Sequence, residues 1–259
     1  MKFSANLGFL WTELPLVDAI RAAKDAGFAA VECHCPYDTP AEEVAAALQE
    51  TGLPMLGINT VRGAEPGDMG LSAVPGRQTE ARAAIDQAAD YACAIGAGAI
   101  HVMAGISEGP EAHQAFLDAL RYARTRVDDD ITILIEPLNR HDAPGYFLKT
   151  TDQARAIIEA LNLSGIKLMF DCYHVGRTEG DVTTRMKDLL PIIGHIQFAS
   201  VPDRGAPDHG EIAYEAVFRT VAALGWTRPL GAEYKPGGDT GASLGWMQSL
   251  AQTRQSRTD

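Results

Sequence analysis

A single pattern recurs along this chain: a short apolar segment with strand character, a turn, an amphipathic helical segment, and a Gly or Pro break. Eight such units follow one another over 259 residues. Strands that alternate with helices favour one parallel sheet, because each helix carries the chain back to the start of the next strand. The number of units and the chain length match a closed barrel. We therefore predict an α/β fold, a single (β/α)8 TIM barrel.

Apolar residues at strand or helix spacing locate the elements of each unit. Strands are predicted at residues 3–9, 29–32, 55–59, 99–103, 131–136, 166–171, 193–199 and 229–233. Helices are predicted at residues 15–26, 41–50, 78–95, 110–127, 152–161, 181–190, 214–224 and 243–251. No linker divides these segments, so we expect one domain over residues 1–252 and a polar tail over residues 253–259. A doubly wound sheet is the alternative, but no glycine-rich dinucleotide fingerprint follows the first strand.

Charge and composition exclude several classes of protein. The formal net charge of −12 opposes nucleic-acid binding, because phosphate contacts need a basic face. The N-terminal residues lack the apolar core of a signal peptide, and no apolar run approaches the roughly 20 residues that span a bilayer. The pair Cys33 and Cys35 is spaced too closely for a structural zinc site, which indicates free thiols in a reducing compartment. We expect a cytoplasmic protein.

Polar residues end most of the predicted strands. In a parallel barrel these strand ends meet at the carboxyl face, where the active sites of such barrels lie. A single carboxylate at a strand end is more often a salt-bridge partner than a ligand, but a run of such residues on neighbouring strands favours a site. The strand-end residues are Glu32, Asn59, His101, Glu136, Asp171, Gln197 and Glu233.

The last four of these residues end strands five to eight, which are neighbours around the ring. Glu136, Asp171 and Glu233 supply carboxylates, and Gln197 supplies an amide oxygen. An all-oxygen shell of this kind suits Mg²⁺ or Mn²⁺. Without a cation, three carboxylates this close would repel one another, and at least one would be protonated. The sequence therefore predicts a site for a divalent metal.

Five short motifs in combination closely resemble those of the hydroxypyruvate isomerase family. That family belongs to the xylose isomerase-like barrels, beside the ketose 3-epimerases, and the resemblance extends from residue 3 to residue 247. It implies that Glu136, Asp171, Gln197 and Glu233 hold the metal and that Glu136 and Glu233 transfer protons. The motifs are IEPLN at 135–139, FDCYH at 170–174, GHIQ at 194–197, GEIAY at 210–214 and EYKP at 233–236.

The chemistry implied by this resemblance is the isomerisation of a small 2-oxo acid, with hydroxypyruvate converted to tartronate semialdehyde. Such an isomerisation removes a proton from one carbon and returns it to the neighbouring carbon through an enediolate. Two carboxylates can share these roles as base and acid. A divalent metal would act as a Lewis acid toward the substrate oxygens.

Further residues are candidates for substrate binding. The resemblance implies that His174 contacts substrate hydroxyls, although a role in holding a carboxylate is equally open. It also places Asp142 and Arg204 near the substrate, and an Arg fork suits a carboxylate. Lys235 shares a face with Glu233 on an extended strand and would neutralise a substrate carboxylate. The remaining candidates are Asn59, His101 and Arg77.

Residues 61–77 form a long irregular segment with four glycines and two prolines. A loop of this length inside a compact domain is usually functional or disordered, and we predict a lid over the site. Family members often carry an Asp-Trp pair here, whereas this chain has Gly67-Asp68-Met69-Gly70. The departure leaves the identity of the substrate open. The cationic groups of the chain nevertheless favour an acid: Arg62, Arg77, Arg204 and Lys235.

Several alternatives remain at this stage. The nearest are a 2-oxo-tetronate isomerase and a short-chain ketose 3-epimerase, although the epimerases usually place histidine where Gln197 stands. A metal-dependent phosphodiesterase of the same superfamily would need more histidine ligands than this chain places at strand ends. A non-catalytic sugar-acid binding protein is disfavoured by the presence of both Glu136 and Glu233. A homo-oligomer is open, since no isolated apolar stripe specifies a dimer.

Overall fold

The computed structural model describes residues 1–248, and its parallel strands form a barrel that closes in the order of the chain. The first strand pairs with both the second and the eighth. The predicted (β/α)8 barrel is therefore confirmed. The strands are β1 (Phe3–Asn6), β2 (Ala30–Cys33), β3 (Met55–Asn59), β4 (Ala99–His101), β5 (Thr132–Ile135), β6 (Ile166–Asp171), β7 (Ile193–Phe198) and β8 (Leu230–Ala232).

Helices on the outside of the barrel connect successive strands. Several end at residues with left-handed backbone conformation, such as Gly52 and Gly96, which terminate the helix at little steric cost. Short 3-10 turns cover Leu190–Ile192 and Gly241–Leu244. The helices are α1 (Leu16–Asp25), α2 (Ala41–Thr51), α3 (Gln78–Ile95), α4 (Gly109–Thr125), α5 (Thr151–Leu161), α6 (Cys172–Thr178), α7 (Val182–Leu189) and α8 (Tyr214–Ala223).

The structure departs from the sequence-based expectation at two helices and at two strands. Strands β1 and β4 end at Asn6 and His101, before the predicted ends at residues 9 and 103, because the chain turns away from the sheet there. Helix α6 follows β6 without a loop and was not predicted, because it is short and its composition is a poor guide to helix. Asp171 starts it by accepting a hydrogen bond from the backbone N–H of Tyr173 at 2.8 Å. The predicted helix at 243–251 corresponds in part to helical residues 245–248. Residues 249–251, the domain limit at 252 and the tail at 253–259 lie outside the described residues.

The alternation of side chains along each strand places the polar strand ends above an apolar floor. Two residues before His101, Glu136 and Asp171 come Ala99, Leu134 and Met169, which form a small buried cluster apart from the main core. Residues two apart on a strand share a face, so this cluster and the polar residues both face the barrel interior. The main core lies between the strands and the surrounding helices. The barrel thus carries a group of polar side chains at its carboxyl end.

Gly231 on β8 allows side chains from β2 and β7 to approach the barrel wall closely. A Cβ atom at this position would lie 2.4 Å from Glu32 Oε1 and 2.7 Å from Gln197 Cγ. We expect Gly231→Ala to lower the free energy of unfolding by about 1–3 kcal/mol, because these buried side chains must shift. Urea denaturation measures the change. Gly57→Ala is the control, since its Cβ would meet Ala99 at an ordinary 3.6 Å, and equal losses in both variants would contradict the expectation.

The segment 61–77, predicted as a lid, is tied to the chain that follows β4. The backbone N–H of Ala73 donates to the carbonyl of Ala104 at 2.7 Å, and Gly70 pairs with Ala104 in an isolated bridge. Leu71 and Ala73 are buried, whereas most of residues 62–67 are exposed. The middle of the segment is thus anchored to the barrel, and the function of the segment as a lid stays a prediction.

All four cysteines lie in the described part of the chain and are free thiols, as expected from the sequence. Cys33 and Cys172 are buried, and burial raises the pKa of the Cys33 thiol to about 12. Within residues 1–248, no helix is both long and apolar enough to cross a membrane.

Candidate active site at the carboxyl end of the barrel

Four buried side chains meet at the carboxyl end of the barrel. Glu136 directly follows β5, Asp171 ends β6, His174 lies in α6, and Glu233 directly follows β8. One potential ligand atom from each of these residues lies within 4.8 Å of the others. The structure therefore contains a buried candidate metal site built from glutamate, aspartate and histidine.

The unpaired oxygens of this region fit a hard divalent cation. Glu136 Oε1, Asp171 Oδ2 and Gln197 Oε1 are buried without a hydrogen-bond partner among the described residues. A buried acceptor without a partner is costly, so such atoms point to a ligand that the protein itself does not supply. Carboxylate and amide oxygens are the ligands that Mg²⁺ and Mn²⁺ prefer. The donor set thus agrees with the predicted metal.

The hydrogen bonds of His174 determine which of its ring nitrogens can act in the site. The backbone N–H of Asn139 donates to Nδ1 at 3.0 Å, and Asn139 Nδ2 lies 2.8 Å from the same atom. Nδ1 is therefore an acceptor, and in the neutral ring Nε2 carries the proton. Burial and the charge of Arg204 lower the pKa of His174 to about 3, which favours the neutral ring.

The consequence for His174 is that it acts as a donor rather than as a metal ligand. Its Nε2 lies 3.7 Å from Asp171 Oδ2 and 3.9 Å from Glu136 Oε1. A protonated Nε2 has no lone pair for a cation, but it can donate to a carboxylate or to a substrate oxygen. By distance alone, His174 would be counted as a metal ligand. Because its tautomer opposes that role, Gln197 is the better candidate for the fourth ligand.

Glu233 is surrounded by donors. Asn6 Nδ2 donates to Oε1 at 2.9 Å, and His34 Nε2 lies 2.9 Å from the same oxygen. Arg204 Nη2 donates to Oε2. Burial alone would raise the pKa of Glu233, but the charge of Arg204 and the hydrogen bond from His34 hold it well below its usual range. Glu233 is therefore held as a carboxylate.

Glu136 and Asp171 experience the opposite environment. Burial, and then repulsion from the Glu233 carboxylate, raise the pKa of Asp171 to about 8 and raise that of Glu136 well above its usual range. Neither residue has the close cationic partner that Glu233 has in Arg204. A divalent cation would remove this repulsion and favour the ionised form of both groups. The raised pKa values and the unpaired oxygens thus both favour a bound cation at this site.

Arg204 enters the site from the loop that follows β7. Its guanidinium is packed between the rings of Phe9 and Tyr173, at 4.6 Å and 4.9 Å from their centroids. Its Nη2 lies 3.9 Å from Asp171 Oδ2, and its Nη1 lies 3.7 Å from Asp142 Oδ2. Arg204 is therefore held by two aromatic rings and by three carboxylates, one of which is that of Glu233. Among the described residues, it is the only arginine placed beside the candidate ligands.

Asp142 and His101 both lie beside the cluster. Asp142 accepts hydrogen bonds from the Tyr173 hydroxyl at 2.8 Å and from Asn139 Nδ2 at 3.1 Å, and about a third of its side chain is exposed. His101 Nδ1 lies 3.5 Å from Glu136 Oε2. Burial lowers the pKa of His101 to about 4, so its ring is neutral at neutral pH.

Three predicted substrate-binding residues are not brought into the cluster. Arg77 forms ion pairs with Asp68 at 2.7 Å and Glu80 at 2.6 Å, which closes the segment 61–77. Lys235 is exposed, and its backbone N–H donates to the carbonyl of Arg204 at 2.7 Å. Asn59, at the end of β3, is half-buried. Substrate contact by these three residues stays a prediction.

Sequence reasoning missed three residues that support the cluster. Asn6 ends β1 in the structure, but the predicted first strand continued to residue 9, so its strand-end position was not recognised. His34 follows β2 directly, two residues after Glu32, and alternation along an extended chain could have indicated it. Asn139 lies inside the IEPLN motif, but its contact with His174 depends on the path of the loop after β5. No periodic pattern predicts that contact.

Comparison with known proteins agrees with this fold. The family model described as xylose isomerase-like TIM barrel matches residues 20–250. The 2-oxo-tetronate isomerase of Cupriavidus necator is 39% identical over 253 residues, which cover 95% of this chain and 97% of that protein. The hydroxypyruvate isomerase of Escherichia coli is 35% identical over 253 residues, with coverage of 95% and 98%.

A solved structure shows the same architecture over almost the whole chain. The crystal structure described as AP endonuclease, family 2, from Brucella melitensis superposes with a TM-score of 0.91 at 34% identity, and it covers 96% of this chain and 98% of that one. The chain is thus a xylose isomerase-like barrel. Within that class, the chain belongs to the family of hydroxypyruvate isomerases and 2-oxo-tetronate isomerases, and it is an isomerase.

Proposed function

We propose that this chain is a metal-dependent isomerase of a small 2-oxo acid and that it converts hydroxypyruvate to tartronate semialdehyde. The observation that supports this proposal best is the convergence of Glu136, Asp171 and Glu233, which are buried within reach of one ion. The unpaired oxygens of this region, that of Gln197 included, are the second support. A family of isomerases with the same architecture supplies the reaction class.

Glu136, Asp171, Gln197 and Glu233 would hold one Mg²⁺ or Mn²⁺ ion. When bound, the ion would supply Lewis-acid polarisation of the substrate carbonyl and hydroxyl oxygens. The protein contributes the alignment of the four oxygens, and the hydrogen bonds from Asn6 and His34 hold the Glu233 carboxylate in place. Supporting contacts of this kind orient ligands and tune their basicity.

Two glutamates would carry the proton transfer. Hydroxypyruvate bears a hydroxymethyl carbon, C3, next to the carbonyl carbon, C2. One glutamate removes a proton from C3, and the other returns a proton to C2, while the hydroxyl proton moves from the C3 oxygen to the C2 oxygen. Glu136 and Glu233 follow β5 and β8, so they approach a substrate from different parts of the ring. A carboxylate on either side of the substrate serves this exchange.

Arg204 is the best-placed residue for anchoring the substrate carboxylate. Its fork is fixed between two aromatic rings and faces the cluster, so little conformational freedom is lost when an acid binds. His174 would donate from Nε2 to a substrate oxygen, and His101 and Asp142 would contact polar groups at the two sides of the site. Asn59, Lys235 and Arg77 would act further out, at the rim and the lid.

A 2-oxo-tetronate isomerase is the second candidate, because the relative with that activity is 39% identical to this chain. A 2-oxo-tetronate has one carbon more than hydroxypyruvate and the same reacting group beside a carboxylate. Both substrates are compatible with the same chemistry, because the reacting carbons carry the same groups in each. A cytoplasmic location and association into a homo-oligomer remain predictions from the sequence.

Removal of the metal tests the proposed function. We expect purified protein treated with a chelator to lose at least about 10³-fold in activity, since one ion would both hold and polarise the substrate. Added Mg²⁺ or Mn²⁺ should restore the rate. Hydroxypyruvate, a 2-oxo-tetronate and short ketoses are assayed in parallel to rank the substrates. Full activity of chelated protein would contradict the metal, and turnover of neutral ketoses alone would contradict the acid substrate.

A further inference from the structure

Below the candidate metal site, the barrel interior holds a second polar cluster centred on Glu32. This carboxylate is buried and receives three side chains from β1 and β7. Ser4 Oγ donates to its Oε1. His195 Nε2 lies 3.1 Å from Oε1 and 3.0 Å from Oε2, and Gln197 Nε2 donates to Oε2 at 2.8 Å. The cluster performs no step of the proposed reaction, although Gln197 belongs to both groups.

The amide of Gln197 has two orientations of almost equal shape, and its neighbours decide between them. An ionised carboxylate only accepts hydrogen bonds, so Glu32 favours the orientation in which Nε2 faces it. In the reverse orientation, two acceptor oxygens would face each other at hydrogen-bond distance. Nε2 also lies 3.4 Å from Glu233 Oε1, a second acceptor that favours the same orientation. Gln197 Oε1 is the atom left without a partner.

The surroundings of Glu32 show a site built for this contact. Gly231 leaves room for the Glu32 carboxylate and the Gln197 side chain at the barrel wall. His195 and Gln197 are two residues apart on β7 and reach Glu32 from the same face. Ser4 and His195 occupy the positions around the carboxylate that Gln197 leaves open. A carboxylate that is so fully engaged has little freedom to turn away from Gln197.

We propose that Glu32 is a positioning residue, which fixes the Gln197 amide so that Oε1, and not Nε2, is available to the metal. This inference rests on the proposed function, because it assigns Gln197 as a ligand. The role of Glu32 also explains how an amide can act as a metal ligand at position 197. In the reversed orientation, the Gln197 amide would present its two N–H hydrogens to the cation. Glu32 would therefore influence metal binding without contacting either the ion or the substrate.

The test is the affinity of metal-free protein for Mn²⁺, measured by isothermal titration calorimetry without substrate. In Glu32→Gln, the new amide offers one donor and one acceptor, so the Gln197 amide is no longer held in one orientation. We expect Mn²⁺ affinity to fall by about tenfold or more, as is typical when a residue that orients a metal ligand is lost. Circular dichroism and thermal unfolding establish that the variant is folded.

A double variant separates orientation from general damage to the fold. In Glu32→Gln/Gln197→Glu, the carboxylate at position 197 presents an oxygen whichever way it turns, and the amide at position 32 can donate to it. We expect its Mn²⁺ affinity to return to within a few-fold of the parent value. Glu179→Gln is the matched control, since Glu179 is a partly buried residue, with 6% of its side chain exposed, that accepts from Thr151 and pairs with Arg185 away from the cluster.

Three results would overturn the proposal. The first is an unchanged Mn²⁺ affinity in Glu32→Gln, and the second is a double variant that stays as weak as the single one although it is folded. The third is an equal loss in Glu179→Gln and Glu32→Gln, which would assign the effect to stability. Failure of the parent protein to bind Mn²⁺ is a different result, because it would overturn the proposed function and remove the basis of the inference.

Discussion

Glu136→Gln is expected to lower kcat by about 10³-fold or more and to leave the barrel folded. The substitution keeps the shape of the side chain but removes both its ability to take up a proton and its negative charge. Glu136 lies between His101 and His174 and has an oxygen without a partner. An amide at this position would remove the proposed acid–base group and would weaken the proposed metal ligand, since it offers a neutral oxygen in place of a charged one.

The assay is hydroxypyruvate turnover with saturating Mn²⁺, accompanied by thermal unfolding of both proteins. Stability should change little or rise, because a buried carboxyl group whose pKa is raised by burial and by Glu233 is replaced by a neutral group. Glu179→Gln removes a buried carboxylate outside the site and should retain activity. Turnover of Glu136→Gln at the parental rate would show that Glu136 takes no part in the chemistry.

Arg204→Ala is expected to have the second largest effect, on both stability and activity. The Arg204–Glu233 pair is largely buried, with 13% and 5% of the two side chains exposed. Removing one partner of such a pair costs about 3–5 kcal/mol, because the other charge stays buried. We expect this loss in metal-free protein and a smaller one with Mn²⁺, since a cation near Glu233 offsets its charge.

Chemical denaturation with and without Mn²⁺ measures the difference, and steady-state kinetics measure the effect on the substrate. If Arg204 anchors the carboxylate, the KM for hydroxypyruvate should rise by at least about tenfold. Arg204→Lys is the control, because it keeps the charge but loses the planar fork that stacks between Phe9 and Tyr173. An unchanged KM in Arg204→Ala would contradict the role of Arg204 as anchor.

The architecture and much of the site were predictable from the sequence. Short apolar runs with period-two alternation locate strands, and closure of eight such strands brings their ends together. The positions of Glu136, Asp171, Gln197 and Glu233 at consecutive strand ends followed from this reasoning alone. The structure shows the three carboxylates in one buried cluster and the Gln197 amide within 3.4 Å of Glu233. Strand periodicity is sufficient for this part, because it fixes which side chains face inward.

The contacts made by loops were not predictable in the same way. The ring orientation of His174 depends on a backbone N–H of the loop after β5, and helix α6 begins without any spacer after β6. Arg204, which contacts Glu233, itself has a left-handed backbone conformation. Arg77 looked like a substrate cation but is paired with Asp68 and Glu80. Such contacts arise from loop geometry, which leaves no regular pattern in the sequence.

The proposed ligands and many of their supporting residues lie in different halves of the chain, which has a consequence for how this protein acquires its activity. The proposed ligands all come from the second half of the chain, β5 to β8, whereas four of the groups that support them come from the first half: Asn6, Glu32, His34 and His101. A nascent or separately produced second half would carry the ligands without these supports. Competence to bind metal should therefore arise only when the two half-barrels join, so that metal binding reports completion of folding.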